Sequence, residues 1–151
     1  MRTIKYRAKV RSEKGKSKWV KGFYYEVFGS PYILPESRER EPSQIIDRET
    51  LGAFIQRTDK NGVEVYEGDI ICSEIFDEER NKTVREFHII EYFDNEDNGI
   101  VGFTYRSLQY NTSIFDMFSQ KWFSEHIEVV GNRWDNSILR SEKRKRGRAD
   151  V

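Results

Sequence analysis

The stretch Asp59-Lys60-Asn61-Gly62-Val63-Glu64-Val65-Tyr66-Glu67-Gly68-Asp69-Ile70-Ile71 sets the architecture of this chain. Asn61-Gly62 suits a tight turn, because both residues tolerate positive φ and Gly does so without a Cβ penalty. Val63 and Val65 alternate with Glu64 and Tyr66, the period-2 pattern of a half-buried strand. Gly68-Asp69 breaks the run, and Ile70-Ile71-Cys72 starts a second, wholly apolar strand. Turn and strand chemistry account for each residue type: Gly62 and Gly68 permit turns, Asn61 and Asp69 cap them, and Val and Ile fill the interior.

Working toward the amino terminus, Ile4, Tyr6, Ala8 and Val10 alternate with Lys5, Arg7, Lys9 and Arg11. That is a half-buried strand with a basic outer face. A turn at Ser12–Lys16 leads into a returning strand from Trp19 to Phe28. Gly29 to Ser43 holds all three prolines, Pro31, Pro35 and Pro42, and reads as an exposed loop. Gln44–Ile46 and Leu51–Ile55 read as short strands or turns. Toward the carboxyl terminus, a strand over about Thr83–Phe93, a hairpin loop at Asp94–Gly99 and a strand over Ile100–Leu108 follow. Asn111–Ser124 partly fits a 3.6 period, which allows a short helix. Ile127–Asn132 is a last strand, ended by Gly131-Asn132. The expected fold is mainly β, with short antiparallel strands in small barrel-like, SH3-like units and little helix. Val63, Val65, Ile70, Phe103, Ile127 and Val129 are its expected buried residues. The division expected is a hairpin unit over 1–58 with the loop 29–43, a barrel-like unit over 59–139, and a basic, disordered tail over 140–151.

A chain of 151 residues can bury roughly two-thirds of its unfolded surface and needs no disulfide. It has one cysteine, Cys72, which fits a reducing cytoplasm. No apolar run approaches the length of a membrane-spanning helix, and Met1–Lys5 lacks the apolar stretch of a signal peptide. Zero net charge hides segregation. Residues 1–21 carry nine Lys/Arg against one Glu, and residues 64–99 carry twelve Asp/Glu against three Arg/Lys. Residues 140–151 carry six Lys/Arg against two acids.

Three separated pieces resemble the YopX family of phage and prophage proteins. The first is Arg2–Ala8 with Lys18–Gly22, the second Glu49–Gly52 leading to Asp59–Ile71, and the third Ile127–Asn132 with Asp135-Asn136 and Ile138-Leu139. Two departures stand out. Lys9-Val10 replaces the usual Trp-Asp, and Gln56-Arg57-Thr58 replaces the usual Thr-Gly-Leu. The resemblance implies a mostly β fold with barrel-like units and a phage or prophage origin. It supplies no catalytic residue to carry over.

The residues themselves point away from catalysis. Cys72 has no neighbouring base or cation in the sequence to activate a thiolate, so it reads as a core residue. His88 and His126 stand at no zinc-type spacing, and the Asp94–Gly99 loop departs from the calcium-binding pattern. No phosphate loop or nucleophile elbow occurs, so neither cofactor nor metal is expected. Binding remains. Lys5, Arg7, Lys9 and Arg11 place charges about 7 Å apart on one strand face, comparable with phosphate spacing. Trp19, Tyr24 or Tyr25 could add stacking surface for nucleic acid, the first-choice partner. The alternative is a host or phage protein held by the acidic segment through Glu74, Asp77, Glu78 and Glu79. A third is self-association, basic strand against acidic segment, into a homo-oligomer.

Overall fold

The computed structural model describes residues 2–12, 18–37, 40–95, 97, 99–110, 112–114 and 118–135. The turn expected at 13–16, parts of the Asp94–Gly99 loop and the basic tail lie outside them. The chain forms two compact units, Met1–Gln56 and Arg57–Val151.

In the first unit, β1 (Tyr6–Lys9), β2 (Trp19–Val27), β3 (Ser30–Pro35) and β4 (Gln44–Ile45) are followed by a 3-10 turn at Arg48–Thr50. Strand β5 (Gly52–Thr58) then crosses the boundary between the units. The second unit holds β6 (Glu64–Tyr66), β7 (Asp69–Asp77), β8 (Lys82–Asn95), β9 (Ile100–Ser107), β10 (Ser113–Ile114), α1 (Gln120–His126) and β11 (Ile127–Asn132). One six-stranded sheet has the order β4-β3-β2-β1-β5-β6, and a five-stranded sheet the order β10-β9-β8-β7-β11. Every strand pair with a described register is antiparallel. The fold is therefore mainly β, as the alternation predicts. The expected barrel-like closure is corrected: both sheets are open, each with two edges.

The first sheet buries Ala8, Val20, Ile33 and Ile46, with Tyr6, Val10, Tyr24 and Leu51 packed against them. These come from alternate positions on paired strands, since Ala8 faces Val20 and Tyr24 faces Ile33. The loop expected over 29–43 is a second correction, because β3 occupies its first half. Its prolines misled the reading. Pro31 accepts from the Ile46 N–H at 3.1 Å through its carbonyl. A proline is tolerated where the strand asks it only for an acceptor.

The Asp59–Ile71 block supplies β6 to the six-stranded sheet and the start of β7 to the five-stranded one. Asp59 is 2% exposed. Its Oδ1 accepts from the N–H groups of Asn61 and Val63, both at 2.9 Å, and its Oδ2 from Val129 at 2.9 Å. One carboxylate thus closes the turn and ties it to β11. Gly62 takes φ +77° in open space. Val65 and Tyr66 are buried, whereas Val63 is 44% exposed and Phe103 and Val129 are half-buried, which corrects those expectations. Val63 spends its N–H on the turn and precedes β6, so the strand's alternation does not reach it. Asp69, also buried, accepts from the Tyr66 N–H at 2.7 Å. Gly68 takes φ +92°, and a Cβ there would lie 2.5 Å from the Trp134 ring. Val129 faces Ile71 and Gly131 faces Ile70, which leaves Val130 as the extra residue of a bulge. Asn132 Oδ1 then accepts from the N–H groups of Trp134 and Asp135 at 3.0 and 2.9 Å, ending the strand.

One sheet face buries Ile70, Ile89 and Leu108 with Phe87 and Val130 against them. On the opposite face, Tyr105 stacks on Phe118 with centroids 5.6 Å apart and lies 6.0 Å from Phe123, a buried residue of α1. Helix α1 is the short helix that the 111–124 pattern allows, placed later in the chain. Ser119 caps it by accepting from the Trp122 N–H at 3.2 Å.

Candidate nucleic-acid interface

Strand β1 sends Tyr6 and Ala8 into the core of the first unit and Lys5, Arg7 and Lys9 to the opposite face. Register adds the rest. Lys9 faces Trp19 and Arg7 faces Lys21, while Phe23 faces Leu34 and Tyr25 faces Tyr32 on the next strand pair. Directly opposed residues share a face, so four cations and a run of aromatic rings lie on one side of the sheet.

The cations are not a solvated row. Lys5 Nζ lies 5.2 Å from the Phe54 ring centre and ion-pairs with Glu36 at 3.1 Å. The Arg7 guanidinium sits 4.8 Å from the Trp19 ring, with Lys9 Nζ at 5.4 Å from the same ring. Arg7 is only 9% exposed, and the Lys5 side chain 11%. The alternation predicts that all four share a basic outer face. On that face, Lys5 and Arg7 lie largely buried along ring faces, Lys9 is half-buried, and Arg11 is exposed. The charged ends of Lys5, Arg7 and Lys9, not their stems, lie over the rings.

What stays open on this face is apolar, with Leu34 at 44% exposure directly opposite Phe23. Phe23 is 60% and Tyr25 38% exposed, with the Tyr25 and Tyr32 rings stacked 5.5 Å apart. Tyr24, the other stacking candidate, points into the core against Tyr6 at 5.7 Å. Phe23, Lys21 and Phe54 belong to the face but were missed in the sequence. The alternation Trp19-x-Lys21-x-Phe23-x-Tyr25 contains two of these neighbours, Lys21 and Phe23, whereas Phe54 comes from a different strand.

The YopX protein family model matches residues 5–140. The chain belongs to the YopX family. No curated protein matches it. The matched span of this YopX protein runs from the basic strand through β11.

Cations lie beside two of the acidic candidates of the YopX chain. Glu74 lies opposite Arg85 on β7 and β8, and Asp77 ion-pairs with Arg80 at 3.6 Å. Glu78 and Glu79 are exposed in the turn between those strands. Elsewhere in the segment, Glu91 ion-pairs with Arg106 at 2.9 Å and Arg133 at 2.8 Å, which holds its carboxyl below the usual range. Glu67 is pushed the other way, its carboxyl raised chiefly by burial.

Cys72 is buried at 3% exposure, as a core residue should be. Yet Arg85 Nε lies 3.3 Å from its Sγ, a cation that strand pairing supplies and the local sequence does not. His126 is exposed at the end of α1, 5.4 Å from the Trp122 ring, and half-buried His88 has its pKa lowered chiefly by burial. Among the described residues, no group of three or more His, Cys, Asp or Glu is placed to hold a metal ion. No helix among them is long and apolar enough to cross a membrane.

Proposed function

We propose that this YopX protein is a phage- or prophage-encoded, cytoplasmic binding protein, not a catalyst, and that it associates with single-stranded nucleic acid. The supporting observation is the shared sheet face of Lys9 and Lys21 beside the exposed rings of Phe23 and Tyr25. Exposed aromatic rings stack with unpaired bases, which duplex DNA does not offer, while cations beside them contact phosphates. Lys5 and Arg7 set the rings in place rather than reaching outward. Phosphate contacts then fall to Lys9, Lys21 and exposed Arg11 and Lys18.

The test is anisotropy of a labelled single-stranded oligonucleotide titrated with the full chain. Binding should fall with salt at a slope of about −0.7 per phosphate contact, so four contacts give a slope near −3 on a log–log plot. Phe23→Ala with Tyr25→Ala, and separately Lys9→Glu with Arg11→Glu, should each weaken binding at least tenfold with the fold intact. No binding at low salt rejects the proposal.

A second reading has its own observation. Ile75 and Phe76 are 46% and 57% exposed, next in sequence to Asp77, Glu78 and Glu79. An apolar pair flanked by acids suits a basic protein partner. In that case Phe76→Ala should release a protein captured from host or phage extract, and the sheet-face substitutions should leave it bound. Self-assembly is a third reading, tested by whether sedimentation changes with salt.

A further inference from the structure

The second unit holds a cleft of about 110 Å³ that no part of the proposed interface uses. Its floor is the sheet face carrying Ile71, Ser73, Glu86, His88, Tyr105 and Ile127, and its wall includes Phe118 and Trp122. Register groups the polar residues: Ser73 faces Glu86, and His88 follows Glu86 by two positions on β8. Two-residue spacing puts the Glu86 and His88 side chains about 7 Å apart on one face. Beside this face stand the stacked rings of Phe118 and Trp122, centroids 4.2 Å apart, and Tyr105 of the same sheet face stacks on Phe118. The cleft is thus a largely apolar slot with Ser73, Glu86 and His88 among the residues of its floor.

Volume limits the occupant to one ring. An engineered apolar cavity of about 150 Å³ holds benzene, so this partly open cleft takes a six-membered ring rather than a fused pair. Its polar residues select the chemistry. Ionised Glu86 only accepts hydrogen bonds, and neutral imidazole offers one donor and one acceptor. Neither side chain hydrogen-bonds to another described residue. We propose that the cleft binds a single heteroaromatic ring carrying an exocyclic amine, the cytosine class. The amine donates to Glu86, and the His88 N–H donates to the ring nitrogen or carbonyl beside it. Glu–cytosine amine pairing is an established mode of base recognition. Burial lowers the His88 pKa, which favours the neutral imidazole with its one N–H donor.

This inference uses different residues from the sheet-face reading, and Phe23→Ala with Tyr25→Ala should leave it untouched. The experiment titrates the isotope-labelled full chain with cytidine, uridine and benzene, following amide ¹H–¹⁵N shifts. Cytidine should give saturable shifts at Ile71, Ser73, Glu86, His88 and Ile127. Uridine presents a carbonyl where cytidine has its amine, and should bind about tenfold more weakly. Glu86→Gln preserves shape and should weaken cytidine about tenfold while the remaining spectrum stays folded. Absence of saturation, equal binding of cytidine and uridine, equal binding of benzene, or shifts confined to other residues each overturns the proposal.

Discussion

The two sheets treat their second faces in opposite ways. In the first unit, one face makes the core and the other carries cations laid on rings, with Phe23 and Tyr25 open to solvent. In the second unit, both faces carry buried apolar side chains: Ile70 and Ile89 on one, and Tyr105 with the fully buried Phe123 on the other. An aromatic residue therefore means different things in the two places. On the open face it is available surface, and under α1 it is core.

The sharpest test of that contrast is a pair of Phe-to-Ala changes. Phe123→Ala should lower unfolding free energy by about 3–5 kcal/mol through loss of buried surface and a residual cavity. Phe23→Ala should change it by no more than about 0.5 kcal/mol, as expected of an exposed position. Urea unfolding of both variants measures the gap. Similar losses would mean that the first sheet's second face is also core.

Asp59 comes next. Asp59→Ala strips the acceptor from three backbone N–H groups, and a cost of about 3 kcal/mol is expected from leaving buried donors unmet. By contrast, Arg11→Ala on the basic strand should be silent in the same assay, because its side chain is exposed.

The two glycines of the central block separate conformation from packing. Gly62→Ala faces only the positive-φ penalty of about 1–2 kcal/mol. Gly68→Ala adds a clash with the Trp134 ring, for a total of about 3 kcal/mol. Equal losses would show that Trp134 moves aside freely.

The smallest effects are in pH. For Glu67, the folded pKa is raised above its ordinary 4.5, so the folded state holds the proton more tightly. Its contribution is present below 4.5 and is lost as pH rises through the folded value. Glu91 has the opposite sign: the Arg106 and Arg133 pairs contribute above 4.5 and are lost as pH falls through the lowered folded value. Urea midpoints across the acid range should therefore rise with pH less steeply in Glu91→Gln and more steeply in Glu67→Gln than in the parent chain. The same slope in all three would remove these two carboxylates from the pH dependence.

Local pattern carried much of the fold. Alternation in 4–10 placed β1 and its two faces, Asn61-Gly62 and Gly68 marked turns, and Gly131-Asn132 marked the end of β11. These are effects of neighbouring residues on φ, ψ and side-chain direction, so a linear string contains them. Prolines in β3 hid a strand because the cost of a missing N–H depends on which side the partner strand lies. The sequence likewise determined that the chain is mainly β, that β1 has a basic side, and that Asp59–Ile71 is architecture. Tertiary structure decided the rest. It placed Arg7 on Trp19, Arg85 on Cys72 and Asp59 on Val129, and it gathered Glu86, His88 and Trp122 around one cleft. Those contacts join residues that lie 12 to 70 positions apart, and burial then changes what each charge can do. The reason is physical: a side chain's direction is set by its own strand, but its surroundings are set by whichever strand pairs beside it.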